Sequence, residues 1–266
     1  MSRFKTIFAS ARVCPVIGVI HLPPLPGAPD YDGDMPDIIN RALADFQIYQ
    51  DHSLDGVIIE NFGDTPFYPG RVPAETVAAM TRVITEITRH AKMPVGVNIL
   101  RNDAESALTV AAATGASFIR VNVHTGAVVA DQGIIEGRAH ESLRLRQELY
   151  SDTMILADIG VKHATTLGAR NLADEAADTV ERGRADGLII TGASTGAAAD
   201  IDILEKVRNH VQCPVIIGSG ITFDAVLMYS QKADALIVGS AFKQYGKTGN
   251  SVETNRVATL MAEIDD

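Results

Sequence analysis

The chain has no tryptophan, only two cysteines in 266 residues and an aromatic content of 5%. Its core must therefore come from aliphatic side chains. Two cysteines cannot supply a disulfide framework. Cys14 and Cys213 each precede a proline at the start of an apolar run, and so read as buried structural thiols on the face away from any chemistry. Nowhere do apolar residues run on to the roughly 18 that a membrane-spanning helix needs, so no membrane span is expected. Cations are in the minority: 23 Lys and Arg against 33 Asp and Glu leave a formal net charge of −10. No basic cluster offsets that charge, which argues against nucleic acid as a partner. The sequence also lacks a G-x-G-x-x-G turn after its first apolar run, a P-loop, an H-E-x-x-H pair, a cysteine knuckle and a nucleophile elbow. No cofactor is expected, a metal would have to be held by Glu60, Asp158 and His21 without any ligand spacing in its favour and is not expected, and nucleotide hydrolysis has no support. The mildly basic start, MSRFKTIFASARVCPV, has no long apolar segment of the secretory type and reads as a leading helix that closes the bottom of the fold. The expected location is the cytoplasm.

What the sequence does have is eight short apolar runs, each followed by a stretch with helical periodicity. They are PVIGVIHL (15–22), DGVIIENF (55–62), PVGVNILR (94–101), SFIRVNV (117–123), MILADIGV (154–161), DGLIITG (186–192), PVIIGSGI (214–221) and DALIVGS (234–240). Continuous Val/Ile-rich runs suit parallel strands covered on both faces. Eight β/α units in a chain near 250 residues predict one α/β domain over residues 1–266, a single (β/α)8 barrel, with chemistry at the carboxyl ends of the strands. A doubly wound sheet is the alternative, and the missing glycine fingerprint weighs against it. Helices are expected over about 36–52, 73–91, 103–115, 138–151, 171–184, 200–211, 222–231 and 251–264, with Asp103 and Thr222 as N-caps. Three loops after strands are long, 22–36, 61–72 and 124–137, and loops of that length commonly form a lid or a binding wall.

Polar residues inside apolar strands mark the candidate site. Period-two alternation puts Arg120 and Asn122 on one face of the fourth run, while Asn98, Asp158, Glu60 and His21 stand at the ends of the third, fifth, second and first. Charges in a barrel wall are costly unless they meet one another or a ligand. Asp158 or Glu60 is the candidate proton acceptor, and Lys162 would either neutralise an enolate or form a Schiff base. His21 is a candidate acid or base, Asn98 and Asn122 would orient hydroxyls, and Arg120 would pair with a carboxylate or the ligand. His124 and His163 are secondary candidates. Two Gly-Ser turns, in IIGSGITFD (216–224) and IVGSAFK (237–243), end the seventh and eighth runs, where barrels frequently hold phosphate. Ser219, Gly220, Gly239 and Ser240 are the candidate cradle, Lys243 a candidate charge, and Thr191 in TGASTG (191–196) a third side.

Taken together, GVIHLPPLPGAP (18–29), DGVIIENFGDTPF (55–67), VNILRND (97–103), IRVNVHTGAVVADQGIIEG (119–137), ADIGVKHA (157–164), DGLIITGASTG (186–196) and IIGSGIT (216–222) resemble the BtpA/SgcQ family over almost the whole chain. The resemblance implies a TIM barrel of the ribulose-phosphate-binding group. It also implies two directions for function, since one cyanobacterial relative is implicated in accumulation of photosystem I proteins and other relatives sit beside sugar-phosphate functions. The residues themselves point to an enzyme acting on a small phosphorylated metabolite, by proton transfer, isomerisation or lyase chemistry. The rival expectation is a non-catalytic assembly factor that uses the barrel as a scaffold. Self-association as a homo-oligomer is expected in either case.

Overall fold

The computed structural model describes residues 2–161, 163–168, 171–192 and 200–265. Eight parallel strands close into a barrel in the order β1 (Val16–His21), β2 (Gly56–Glu60), β3 (Val95–Asn98), β4 (Phe118–Val121), β7 (Met154–Ile159), β9 (Gly187–Ile190), β10 (Val215–Ile217) and β11 (Ala235–Val238), which returns to β1. The expected barrel is thus the fold observed. Between β4 and β7 the chain inserts a hairpin, β5 (Ala127–Ala130) and β6 (Gly133–Glu136), and after β7 comes the short β8 (Ala164–Thr166). These three form a separate antiparallel sheet in the order β6-β5-β8. The loop expected over 124–137 is therefore mostly a hairpin with a two-residue tip, Asp131-Gln132.

The helices are α1 (Arg3–Ile7), α2 (Met35–Asp51), α3 (Ala74–His90), α4 (Ala104–Thr114), α5 (Ala139–Glu148), α6 (Leu172–Glu181), α7 (Ile201–Arg208), α8 (Val226–Ser230) and α9 (Thr254–Asp265). Their ends follow the local chemistry. Asp34 accepts from Asp37 N at the start of α2, with proline in its first turn, and Asp103 accepts from Ser106 N at the start of α4. Gly115, at φ 77°, ends α4 in the left-handed region that glycine enters without strain. One cap differs from expectation. Thr222 begins no helix, because the chain runs irregularly to Val226 and α8 is only five residues long.

The strands divide their side chains by parity. Outward residues such as Val16, Ile20, Val57, Ile59 and Val97 pack under the helices. Inward residues Ile17, Val19, Ile58, Phe118, Leu156, Ile189, Ile216 and Ile237 fill the barrel interior. Gly96 makes room for the one aromatic ring among them: a Cβ there would come within 2.2 Å of Phe118 Cε2. Phe4 and Phe8, carried by and just after α1, join the same interior cluster, and Phe8 packs on Phe118 with ring centroids 6.0 Å apart. The leading segment therefore stops the amino-terminal end of the barrel, as the sequence suggested. Cys14 and Cys213 lie at that end too, and burial pushes the Cys14 thiol up to about 12 and that of Cys213 to about 11, so both stay protonated and unreactive. Among the described residues, no helix is long and apolar enough to cross a membrane.

Candidate active site at the barrel mouth

Inward parity continues past the apolar layers into polar ones. His21 follows Ile17 and Val19, Glu60 follows Ile58, Asn98 follows Gly96, Arg120 and Asn122 follow Phe118, and Asp158 follows Leu156. Register sets three of them side by side, His21 opposite Glu60 and Glu60 opposite Asn98. Arg120 pairs with Leu156, one layer below Asp158, so its long side chain rises through the interior toward the carboxylates above it.

Those groups bond to one another. The Arg120 guanidinium donates Nε to Asp158 Oδ1 at 2.9 Å and Nη2 to Oδ2 at 3.0 Å, a bidentate fork. Its Nη1 reaches Glu60 Oε1 at 3.2 Å. Asn98 Nδ2 donates to the same Glu60 oxygen at 3.0 Å, and Asn122 Nδ2 to Asp158 Oδ2 at 2.9 Å. Burial alone would lower the guanidinium's proton affinity; the carboxylates of Asp158 and Glu60 outweigh it and hold Arg120 above its ordinary value. The two carboxylates are not equivalent. Both Asp158 oxygens are occupied by donors, whereas among the described residues Glu60 bonds through Oε1, with Oε2 facing His21 Nε2 at 3.9 Å. Arg120 also takes the position between Glu60 and Asp158 that a cation bound by both would occupy.

This polar floor opens into a cavity of about 400 Å³, within the range of small-ligand sites. Its walls include Phe62 and Phe67 from the 61–72 loop, Leu100 and Arg101 after β3, Asp131 and Gln132 at the hairpin tip, Val161 and His163 after β7, and the two glycine turns. Phe62 stands edge-on to the His21 ring, centroids 5.0 Å apart. Burial pulls the Arg101 guanidinium below its ordinary value, with Asp158 opposing.

The turns after β10 and β11 line the opposite wall with Gly218, Ser219, Gly220, Ile221, Gly239, Ser240 and Ala241. A Cβ at Gly218 would fall 2.2 Å from Ile189 Cγ2, and Gly220 sits at φ 70°, so glycine is required at both. The turn after β10 opens no helix, against the one expected from 222, and the turn after β11 opens only a three-residue 3-10 turn. The backbone amides remain. Among the described residues, those of Ser219, Gly220, Ser240 and Ala241 have no backbone acceptor. Ser219 Oγ accepts from Gly192 N at 3.0 Å, which ties the turn to the end of β9.

The structure thus brings His21, Glu60, Asn98, Arg120, Asn122, Asp158, Ser219, Gly220, Gly239 and Ser240 to one cavity. Four other sequence candidates stand differently. Thr191 is not among the lining residues, and its hydroxyl donates to Gly160 O at 3.3 Å. Lys243 is no phosphate ligand: it is wholly buried, with Nζ 2.7 Å from Asp45 Oδ2 under α2. His124 is buried away from the mouth, its Nε2 2.8 Å from Gly183 O. Lys162 lies outside the described residues. Sequence reasoning missed Arg101, Phe62, Phe67, Asp131 and Gln132. The one signal for Arg101 was a charge ending an apolar strand run, and for Asp131-Gln132 a polar pair between VV and II.

The sequence pattern of the BtpA family matches residues 12–266. Photosystem I biogenesis protein BtpA of Synechocystis is 45% identical over 248 residues, covering 93% of this chain and 86% of that protein. An uncharacterised protein of Pyrococcus horikoshii is 43% identical, covering 94% of this chain and 95% of its own length. Among solved structures, N-(5'-phosphoribosyl)anthranilate isomerase from Pyrococcus furiosus matches with a TM-score of 0.59 at 14% identity, over 95% of this chain and 98% of that one. Mycobacterium tuberculosis tryptophan synthase matches at 0.62 and 17% identity, over 99% and 96%. At such identities the structural likeness is one of fold. Barrel, ordered motifs and relatives agree: the chain belongs to the BtpA family.

Proposed function

We propose that this protein is an enzyme that acts on a small phosphorylated metabolite at the mouth of its barrel. The observation that carries the reading is the cavity itself, with polar and ionic groups from five strands on one wall and two glycine turns rich in backbone amides on the other. The phosphate would rest on the amides of Ser219, Gly220, Ser240 and Ala241, which need an acceptor. The phosphoribosyl anthranilate in the name of one structural neighbour agrees with this reading without carrying it.

Glu60 is the better candidate base, because among the described residues its Oε2 accepts no hydrogen bond, while both Asp158 oxygens are held by donors. It would take a proton from a substrate carbon or hydroxyl, with His21 beside it to return or relay that proton. Arg120, fixed by Asp158, would hold Glu60 in place and offset charge that builds on the substrate. Lys162, close after Asp158 in sequence, keeps its candidacy as the cation for an enolate. This set suits proton transfer, isomerisation or carbon–carbon lyase chemistry. A thermal-shift screen of phosphorylated metabolites against their dephosphorylated counterparts tests the reading. Stabilisation by the phosphorylated members alone is expected, and equal response to both forms would remove the phosphate from the site.

A second reading has an observation of its own. Val129 and Ile134, paired across the hairpin, are 42% and 60% exposed, and Leu167, just after the neighbouring strand β8, is 50% exposed. An apolar outer face of this kind suits a scaffold for another protein, as the name of the Synechocystis relative suggests. Changing Val129 and Ile134 to Ser separates the readings: it leaves a barrel-mouth enzyme active and disables a scaffold.

A further inference from the structure

Neither Asn61 nor Asp64 lines the cavity, yet together they join the loops after β1, β2 and β3 at the mouth of the barrel. Asn61, 1% exposed, follows β2 directly. Its Oδ1 accepts from Leu100 N at 2.7 Å, and its Nδ2 donates to Asp64 Oδ2 at 2.9 Å. Asp64 Oδ1 in turn accepts from Leu25 N at 2.8 Å. One amide and one carboxylate thus clasp three loops. The loops also approach closely: a Cβ on Gly63 would lie 2.4 Å from Pro24 N. Burial pushes the Asp64 carboxyl above its ordinary value, and its two N–H donors pull it back.

The polarity of these bonds is fixed. A backbone N–H only donates, so the Asn61 oxygen must face Leu100 and its amino group must face Asp64. An amide at 64 would have to turn its oxygen to Leu25 and would set one NH2 against another. A carboxylate at 61 would set two carboxylates together. Exchanging the two side chains, by contrast, gives each of the three bonds a donor and an acceptor again. Only the long contact from Asn61 Nδ2 to Leu100 O, at 3.5 Å, would be lost.

The clasp sits directly behind two residues of the cavity lining. Phe62 stands next to Asn61 in the chain and meets the His21 ring, centroids 5.0 Å apart, and Arg101 stands next to Leu100. A separate bond from Arg101 N to Tyr68 O, at 3.1 Å, still ties the loops after β2 and β3, so opening the clasp shifts the wall without releasing it. We infer that Asn61 and Asp64 are positioning residues of the site: they touch no ligand and set where Phe62 and Arg101 stand when one arrives. A supporting layer of this kind decides how well the groups in front of it grip. The inference rests on the reading of the mouth as a ligand site and extends that site to two residues behind its wall.

The chain has no tryptophan, so Phe62→Trp places a single indole emitter in the wall. In that background Asn61→Asp and Asp64→Asn should each shift the emission to the red and raise its quenching by acrylamide. The double exchange should return both to the starting values. In the chain without the tryptophan, each single change should weaken calorimetric binding of ribose 5-phosphate ~10-fold, and the exchange should recover it. A purely structural role predicts lower melting temperatures in the single variants with emission and quenching unmoved. That result overturns the inference, as does an exchange that fails to restore the emission. Where a single variant does not fold, Asp64→Ser opens the clasp without opposing like groups and takes its place. Failure of the phosphate reading shows separately, as no binding of ribose 5-phosphate by the parent chain, and the emission result then decides the inference alone.

Discussion

Arg120 is the residue on which the floor of the site depends. It is 8% exposed and is bonded to two carboxylates that are themselves buried. Arg120→Met leaves Glu60 and Asp158 facing each other without their shared cation, and should cost about 3–5 kcal/mol, read as a lower urea midpoint. His124 makes a prediction of the opposite kind, about pH. Its Nε2 must donate to the Gly183 carbonyl, so a second proton would have to go on the buried, unbonded Nδ1. Burial accordingly holds the ring below its ordinary value of 6.5. The folded protein binds fewer protons than the unfolded chain just below that pH. This contribution to stability is full above pH 6.5 and is lost as pH falls toward the folded value, at up to ~1.4 kcal/mol per pH unit. His124→Gln should flatten that limb of a stability–pH curve measured by urea unfolding. The floor residues were legible because a charge in an apolar strand is expensive and period two gives its face. Their pairing was not, since either carboxylate was an equally good partner for Arg120. Lys243 was misread for a related reason: the 3-10 turn Ser240–Phe242 carries it under α2, where its partner Asp45 stands 198 positions away in sequence.

At the scale of elements, the hairpin is an attachment rather than part of the barrel. Its two ends meet where Gly137 N donates to Gly126 O at 2.8 Å. Joining residue 126 directly to 137 should therefore leave the barrel folded, with far-UV circular dichroism close to that of the parent. The same deletion should weaken ligand binding at the mouth, because Asp131 and Gln132 line the cavity and go with it. The sequence marked this stretch as a long loop with a role and did not show strands, because four-residue strands beside a two-residue tip give too short a pattern for period two to stand out. The opposite error occurred after β10, where helical periodicity over 222–231 yields only the five residues of α8. At the other end of the barrel, Phe8 is 7% exposed and packed on Phe118. Phe8→Ala should cost about 3 kcal/mol by urea unfolding while leaving ligand binding at the mouth unchanged.

For the whole molecule, ring closure was the most legible property of all. Eight runs, all of the doubly covered type, have few other ways to bury both faces. Closure also couples the site to global stability. The floor side chains come from β1, β2, β3, β4 and β7, and the glycine turns follow β10 and β11, so a ligand that joins them braces most of the ring. At a concentration about 100 times its dissociation constant, such a ligand should raise the melting temperature by roughly 5–10 °C, measured by calorimetry on the full chain.

The stopper formed by Phe4 and Phe8 has a kinetic consequence. With those rings and the side chains above them filling the cylinder, whatever goes in at the mouth must come back out through the same doorway. If the proposed enzyme function holds, a spent molecule still seated blocks the next arrival, so the product should behave as a competitive inhibitor.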